Sequence, residues 1–467
     1  MHCYSGGAAL DKARQLALEF LDGLGDRPVA RPVDYAALVE TAGGPLPDDG
    51  QDPACLIEQM ARSFDPGIIG SAGPRYFGFV TGGALPAAAA ADWLAVVWDQ
   101  NGFNSTSSPA AAAVEDIAAR WLLDLLGLPS QMSVGFTTGC TMSSFTALAA
   151  ARHALLHRAG WDVERQGLFG APPITVITSE ESHVTIFAAL QMLGFGRDRV
   201  TRIPADEQGR MRTPELRVAL RASPGPQLVC AQAGNVNTGA FDPIAEIAAS
   251  VHEAGGWLHV DGAFGLWAAA SPAYRSLLRG IEQADSIASD CHKWLNVPYD
   301  SGVVFVRDVE AHRTAMMLAA PYYGQHSKTV RDNYHWVPEA SRRARGFAVY
   351  AALRSLGRRG VAAMIERCCA LAQRMAQRLS SAAGVQILND VILNQVLVRF
   401  SPPVAGDADA FTAEVVRRVQ DDGTCWASGT VWKGMHAIRI SVSNWSTSEA
   451  DIDASVEAIL RCAAPSG

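Results

Sequence analysis

The sequence predicts an α/β protein, a large domain on a mostly parallel central sheet followed by a smaller C-terminal α+β domain. Two observations carry this. Between Thr138 and Val306 short apolar segments alternate with helical ones, and the strand segments are apolar throughout, as in a sheet covered on both faces. Beyond Ser341 the alternation stops, and two helical stretches precede a set of short strands. A chain of 467 residues is long enough for about two or three domains.

Taken in order, residues 1–75 read as an N-terminal arm, because helical periodicity there is broken by Pro28, Pro32, Pro45, Pro47 and Pro53. Such an arm lacks a core of its own and needs a partner surface. Residues 76–340 form the large domain, with strands expected at 174–178, 200–203, 228–231, 257–261, 286–289 and 303–306 and helices at 184–193, 214–221 and 243–254. Residues 341–467 form the small domain, with helices at 342–356 and 360–380 and strands at 385–388, 395–400 and 438–443.

Composition narrows the function. The net charge of −8 and the lack of any long Lys/Arg block disfavour a nucleic-acid or anionic-membrane surface, so a small-molecule partner is expected. Nine scattered cysteines without a Cys-x-x-Cys pair read as reduced thiols of a cytoplasmic protein. The first twenty residues lack the continuous apolar stretch of a signal peptide, and the alanine-rich 84–95 segment is interrupted by Pro86 and Asp92.

The chemistry gathers at strand ends. Lys293, in Ser289-Asp290-Cys291-His292-Lys293-Trp294, follows one apolar strand, and Asp261, in His259-Val260-Asp261-Gly262-Ala263, ends another. A lysine able to bind an aldehyde covalently and an aspartate able to pair with a pyridinium nitrogen are what a pyridoxal 5'-phosphate (PLP) enzyme requires. Gly135-Phe136-Thr137-Thr138-Gly139-Cys140-Thr141 leads into an alanine-rich helix, whose amide-bearing start suits a phosphate; an ordinary N-cap at Thr141 or Ser143 would leave a similar pattern. His183 and Asn235 follow two further strands, where an imidazole can stack on a ring and an amide can reach it. No metal site is expected: His153 and His157 share a helical face without an acidic or cysteine partner at ligand spacing.

Together, Thr138-Gly139-Cys140-Thr141, His183, Gly239-Ala240-Phe241-Asp242-Pro243, His259-Val260-Asp261-Gly262-Ala263 and His292-Lys293-Trp294 resemble the group II PLP-dependent amino-acid decarboxylases, which include the aromatic-L-amino-acid and glutamate decarboxylases. Ser108-Pro109-Ala110, Trp121-Leu122 and Ser341-Arg342-Arg343-Ala344-Arg345 extend the resemblance over most of residues 70–460. It implies PLP-transferase fold-type I, like aspartate aminotransferase, and a homodimer with active sites at its interface, the arm packing on the other subunit. It implies decarboxylation of an L-amino acid to the amine and CO2.

Position by position, the resemblance makes Lys293 the cofactor's anchor and Asp261 the partner of its ring nitrogen. Gly139, Cys140 and Thr141 surround the phosphate, His183 stacks on the ring, and Asn235, Ala263 and His292 line the pocket. Some members carry asparagine where Asp290 stands; a carboxylate cannot donate to a phosphate, so Asp290 is expected to turn elsewhere, leaving Ser289 or His292 to assist. Tyr322 is the expected proton donor to the product carbon, with Tyr323 competing for the role. Phe79, Val80, Trp98, Asn101 and Phe103 are candidates for the substrate pocket, with a modest lean towards aromatic side chains. Two other outcomes stay open: an aminotransferase or aldehyde-forming oxidative decarboxylase, with Arg439 clamping an α-carboxylate, and a non-catalytic PLP-binding protein.

Overall fold

A computed structural model describes residues 6–317 and 331–464. The chain opens with α1 (Gly6–Gly23), α2 (Tyr35–Ala42) and α3 (Pro53–Phe64), of which α1 packs along α3 and none buries a residue. Leu10, Leu18, Leu21, Val39, Leu56, Met60 and Phe64 are exposed on these helices. The arm is tethered instead at Val29, whose N–H donates to Gly423 O (2.8 Å) and whose carbonyl accepts from Gly70 N–H (2.8 Å). Then come α4 (Pro86–Val97) and α5 (Pro109–Leu126), each started by proline, which loses no hydrogen bond at a helix start.

The large sheet has seven strands: β1 (Ser133–Thr137), β2 (Thr175–Ser179), β3 (Thr201–Ile203), β4 (Gln227–Gln232), β5 (Trp257–Asp261), β6 (Ser286–Asp290) and β7 (Gly302–Val306). Their spatial order is β1-β7-β6-β5-β4-β2-β3. Only β7 is reversed, running antiparallel to both β6 and β1. Five of the expected strands end within a residue of the observed bounds, and 257–261 coincides; β1 was not expected as a strand.

Helices α6 (Cys140–Arg158), α7 (Val163–Gln166), α8 (Val184–Met192), α9 (Thr213–Ala222), α10 (Ile244–Glu253) and α11 (Val309–Met316) connect the strands. Alternation along β7 divides the core: Val304 and Val306 pack with α6, α8 and α11, while Val303 and Phe305 join the opposite layer with α5 and α10. Burial of both faces explains why these strands carry unbroken apolar runs.

Past the large sheet, α12 (Gly346–Ser380) is two helical segments meeting at a break at Gly357 (φ +61, ψ 176), the two helices that the sequence suggests. It is followed by β8 (Val385–Ile387), β9 (Gln395–Phe400), α13 (Ala408–Asp422), β10 (Ser428–Trp432), β11 (Met435–Ser441) and α14 (Glu449–Ala463), with the strands forming an antiparallel sheet in the order β10-β11-β9-β8. The segment carrying Tyr76 and Phe77 attaches to this smaller layer: Phe77 N–H donates to Trp426 O (2.8 Å), and Ser441 N–H donates to Phe77 O (3.0 Å). Among the described residues no helix is long and apolar enough to cross a membrane.

Candidate active site

Because β1, β2, β4, β5 and β6 all point the same way, the residues after them meet at one edge of the sheet. A cavity of about 480 Å³ opens there, lined among others by Gly139, Cys140, Thr141, His183, Asp261, Ala263, Asp290, His292 and Lys293. The reversed strand sets its floor. Gly302 stands opposite both Thr137 of β1 and Asp290 of β6, so the turn leading into α6 and the loop bearing Lys293 are registered against one residue. A Cβ on Gly302 would come within 2.5 Å of Gly139 Cα, so only glycine permits that approach.

The acidic groups of the cavity are tied to Cys140. Its N–H, the first of α6, donates to Asp290 Oδ1 (2.5 Å), and its Sγ lies 3.4 Å from Asp261 Oδ1. Burial first, then the Asp261 and Asp290 charges, push the thiol well above its ordinary pKa, so it stays protonated and donates to Asp261. Ala263 N–H also donates to Asp261 Oδ1 (3.0 Å). With Oδ1 held by two donors, Oδ2 would be the oxygen available to a pyridinium N–H.

Lys293 Nζ lies 3.0 Å from Asp290 Oδ2. Burial pulls the ammonium pKa down, and the surrounding acidic groups, Asp290 foremost with Asp261 beside it, together reverse this and leave it above the ordinary lysine value. Ser301 N–H donates to His292 Nδ1 (3.1 Å), so the ring proton is on Nε2, which faces Asp290 Oδ1 at 3.3 Å. Burial keeps His292 below its usual pKa, and Tyr299 packs on its ring at 4.4 Å. His183 caps α8: its Nδ1 accepts from Thr185 N–H (3.4 Å) and contacts Thr185 Oγ1 (2.8 Å). Burial also depresses the His183 pKa, so a neutral imidazole faces the cavity.

The donor set fits PLP. The start of a 19-residue helix supplies amides for a phosphate, and a Cβ on Gly139 would lie only 3.1 Å from His292 Cε1 and 3.3 Å from Asp290 Oδ1. Lys293, Asp261, His183, Gly139, Cys140, Thr141, Ala263 and His292 therefore come together as the sequence predicts.

Other assignments require correction. Asn235 is buried, but its Oδ1 accepts from Asn237 and Thr238 N–H (2.9 and 3.1 Å), so it organises its own turn and does not line the cavity. Ser289 donates to Gly262 O (2.9 Å), away from the cavity. Asp290, expected to turn elsewhere, faces inward. Phe79, Val80, Trp98, Asn101 and Phe103 do not line the Lys293 cavity of their own chain. Phe79 leans on Trp426 (5.5 Å), Val80 is buried, Trp98 meets Phe347 edge-on (5.5 Å), Asn101 Oδ1 accepts from Arg342 N–H (3.0 Å), and Phe103 packs on Tyr334 (4.7 Å). Tyr322 and Tyr323 lie outside the described residues. His153 does have an acidic neighbour: its Nδ1 lies 2.6 Å from Glu164 Oε2, and this hydrogen bond raises its pKa.

Sequence reasoning did not identify Gln232, Phe264 and Met142, which also line the cavity, or the Cys140–Asp261 contact. Gln232 ends β4, Met142 lies in the first turn of α6 and Phe264 follows β5, and no local motif marks which of them turns to the cavity. Arg439 on β11 makes no ion pair among the described residues; its Nε is buried without a partner, and its charge helps depress the His183 pKa.

The chain is similar to several known proteins. The aromatic-L-amino-acid decarboxylase of Bacillus atrophaeus is 28% identical over 448 residues, covering 93% of this chain and 90% of that protein. The 4-hydroxyphenylacetaldehyde synthase of Rhodiola rosea is 25% identical over 464 residues, covering 95% and 93%. The crystal structure of Oryza sativa TDC with PLP and tryptamine superposes with a TM-score of 0.90 at 24% identity, covering 97% and 96%, so the fold is that of fold-type I decarboxylases. Residues 37–401 match the family model of the pyridoxal-dependent decarboxylase conserved domain, and the chain belongs to this family of PLP-dependent carboxy-lyases.

Proposed function

We propose that this chain decarboxylates an L-amino acid with an aromatic side chain, acting as a cytoplasmic homodimer with active sites at its interface. The observation that carries the reading is the meeting of Lys293, Asp261, His183 and the α6 start in one cavity. PLP bound there supplies an electron sink for the pair left when CO2 departs. Lys293 anchors and releases the cofactor. Asp261, fixed through Oδ1 by Cys140 and Ala263, keeps the ring nitrogen protonated. His183, neutral and Nε2-protonated, would stack against the cofactor ring from its side of the cavity. Tyr322, or Tyr323 beside it, brings the proton to the product carbon.

The homodimer is supported by the uncovered apolar surface. Helices α1–α3 bury nothing, and Trp93, Leu94, Val96, Val97 and Trp98 are exposed along and just past α4. In such a dimer, Trp98 and Phe103 would bring aromatic contacts, and Asn101 an amide, to the cavity of the partner subunit. The eight described cysteines are all free, which supports a reducing compartment.

A screen of the common L-amino acids for CO2 release, with light scattering for subunit number, tests the reading. Amine and CO2 from aromatic substrates by a dimer are expected; turnover confined to acidic or basic amino acids would overturn the substrate assignment. The unpaired Arg439 favours one second reading, in which it holds the α-carboxylate and the outcome is transamination or aldehyde formation. Keto acid or aldehyde with peroxide, in place of amine, would establish it.

A further inference from the structure

Resting on the PLP reading, we propose that Asp290 is a built-in rival of the cofactor's phosphate, and that PLP loads by turning this side chain out of the cradle. Three contacts define the rivalry. Asp290 Oδ1 takes the Cys140 N–H at the head of α6 (2.5 Å) and faces the Nε2–H of His292 (3.3 Å), while Oδ2 holds the Lys293 ammonium (3.0 Å). The first two are the donors a phosphate would use, and the third is the amine that an aldehyde must find.

The two anions exclude each other. A single N–H makes one good hydrogen bond, and at neutral pH neither a carboxylate nor a phosphate dianion has a proton to offer the other. The side chain is 4% exposed, so solvent screens little of that repulsion. Asparagine in the same position would turn an NH2 towards the phosphate; aspartate has none to turn. At the other end, the amine must be neutral to condense with an aldehyde, and the Asp290 charge holds it protonated.

Release is a side-chain event. The Asp290 main chain is fixed on both sides, its N–H donating to Ala263 O (3.0 Å) and its carbonyl accepting from Trp267 Nε1–H (2.9 Å). Rotation about the side-chain bonds therefore frees the Cys140 amide, His292 and Lys293 together while β6 stays in place.

The experiment strips the full-length protein of cofactor with hydroxylamine and titrates PLP by its band near 420 nm in wild type, Asp290→Asn and Asp290→Ser. Inorganic phosphate serves as competitor. Loss of one charge-assisted rival predicts that both variants bind PLP about tenfold tighter, and that the inhibition constant of phosphate against PLP falls about tenfold as well. Equal or weaker PLP binding by both variants overturns the proposal. So does a crystal structure of PLP-loaded wild type with Asp290 still on the Cys140 amide, a measurement independent of whether either variant folds. A wild type that forms no such band overturns the PLP reading itself; a wild type that forms it, with affinities unchanged in the variants, overturns the rivalry alone.

Discussion

Glu115→Gln should destabilise the protein and loosen its cofactor site at the same time. Glu115 on α5 and Arg342, just before α12, form an ion pair in which each side chain is 1% exposed. Arg342 also donates through Nη1 to Phe136 O (3.0 Å), and the nearby Arg331 donates to Val134 O, so two guanidinium groups brace β1. Glutamine keeps the volume and one acceptor oxygen but removes the only carboxylate paired with Arg342 among the described residues. Breaking a buried pair from one side costs about 3–5 kcal/mol; with one acceptor kept, about 3 kcal/mol is expected, a large part of a typical total of about 5–15 kcal/mol. Phe136 lies three residues before Gly139, so PLP affinity should fall severalfold as the turn slackens. Urea unfolding at fixed protein concentration measures the first effect, and cofactor titration measures the second. Adding Arg342→Met should restore at least half of the loss, since no lone charge then remains buried. A Glu115→Gln variant within about 0.5 kcal/mol of wild type would refute the reasoning.

Lys293→Ala should remove the borohydride-sensitive band near 420 nm and all turnover while light scattering finds the subunit number unchanged; retained turnover would show another anchor. Asp261→Asn should slow turnover roughly a hundredfold or more, because the charge holding the ring proton is gone, and an unchanged rate and spectrum would dismiss it as the nitrogen's partner. Tyr322→Phe should lose amine and gain aldehyde, ammonia and peroxide, with Tyr323→Phe close to wild type; the reverse pattern would move the proton donor by one residue. Burial holds the folded-state pKa of His312 at about 3 against an ordinary 6.5. The unfolded chain therefore binds the extra proton between those values, and stability drops as pH falls through that window. His312→Gln should lessen the loss of urea resistance between pH 7 and pH 5, and equal losses in both proteins would exclude this histidine as a cause.

The sequence makes the central strands easy to read, since burial of both faces demands unbroken apolar runs such as Leu228–Ala231. Lys293, Asp261 and His183 are legible for a related reason: each directly follows or ends such a run, so its place at the sheet edge follows from topology. β1 was hidden because Ser133-Val134-Gly135-Phe136-Thr137 is short and holds a glycine. Side-chain direction was the harder matter. Asn235 suits a ring contact and a turn equally, and only the neighbouring amides of Asn237 and Thr238 decide. Asp290 faces inward because Ala263 and Trp267 fix its main chain, contacts made across about 25 residues of sequence. The substrate-pocket candidates were unreadable on another ground, because a single chain does not contain all the surfaces of the proposed dimer.

The pairing of Gly302 with both Thr137 and Asp290 limits how this protein can be altered. A residue inserted between Cys291 and Ser301 would have to bulge outward or slide β7 by one position along both neighbours. Sliding exchanges the two faces of the strand and sets Ser301 where Gly302 now touches Gly139. Lengthening this hairpin is thus equivalent to planting a side chain against Gly139 at the turn into α6. Engineering of new specificity should graft its insertions elsewhere and leave the eleven-residue hop from Cys291 to Ser301 at its present length.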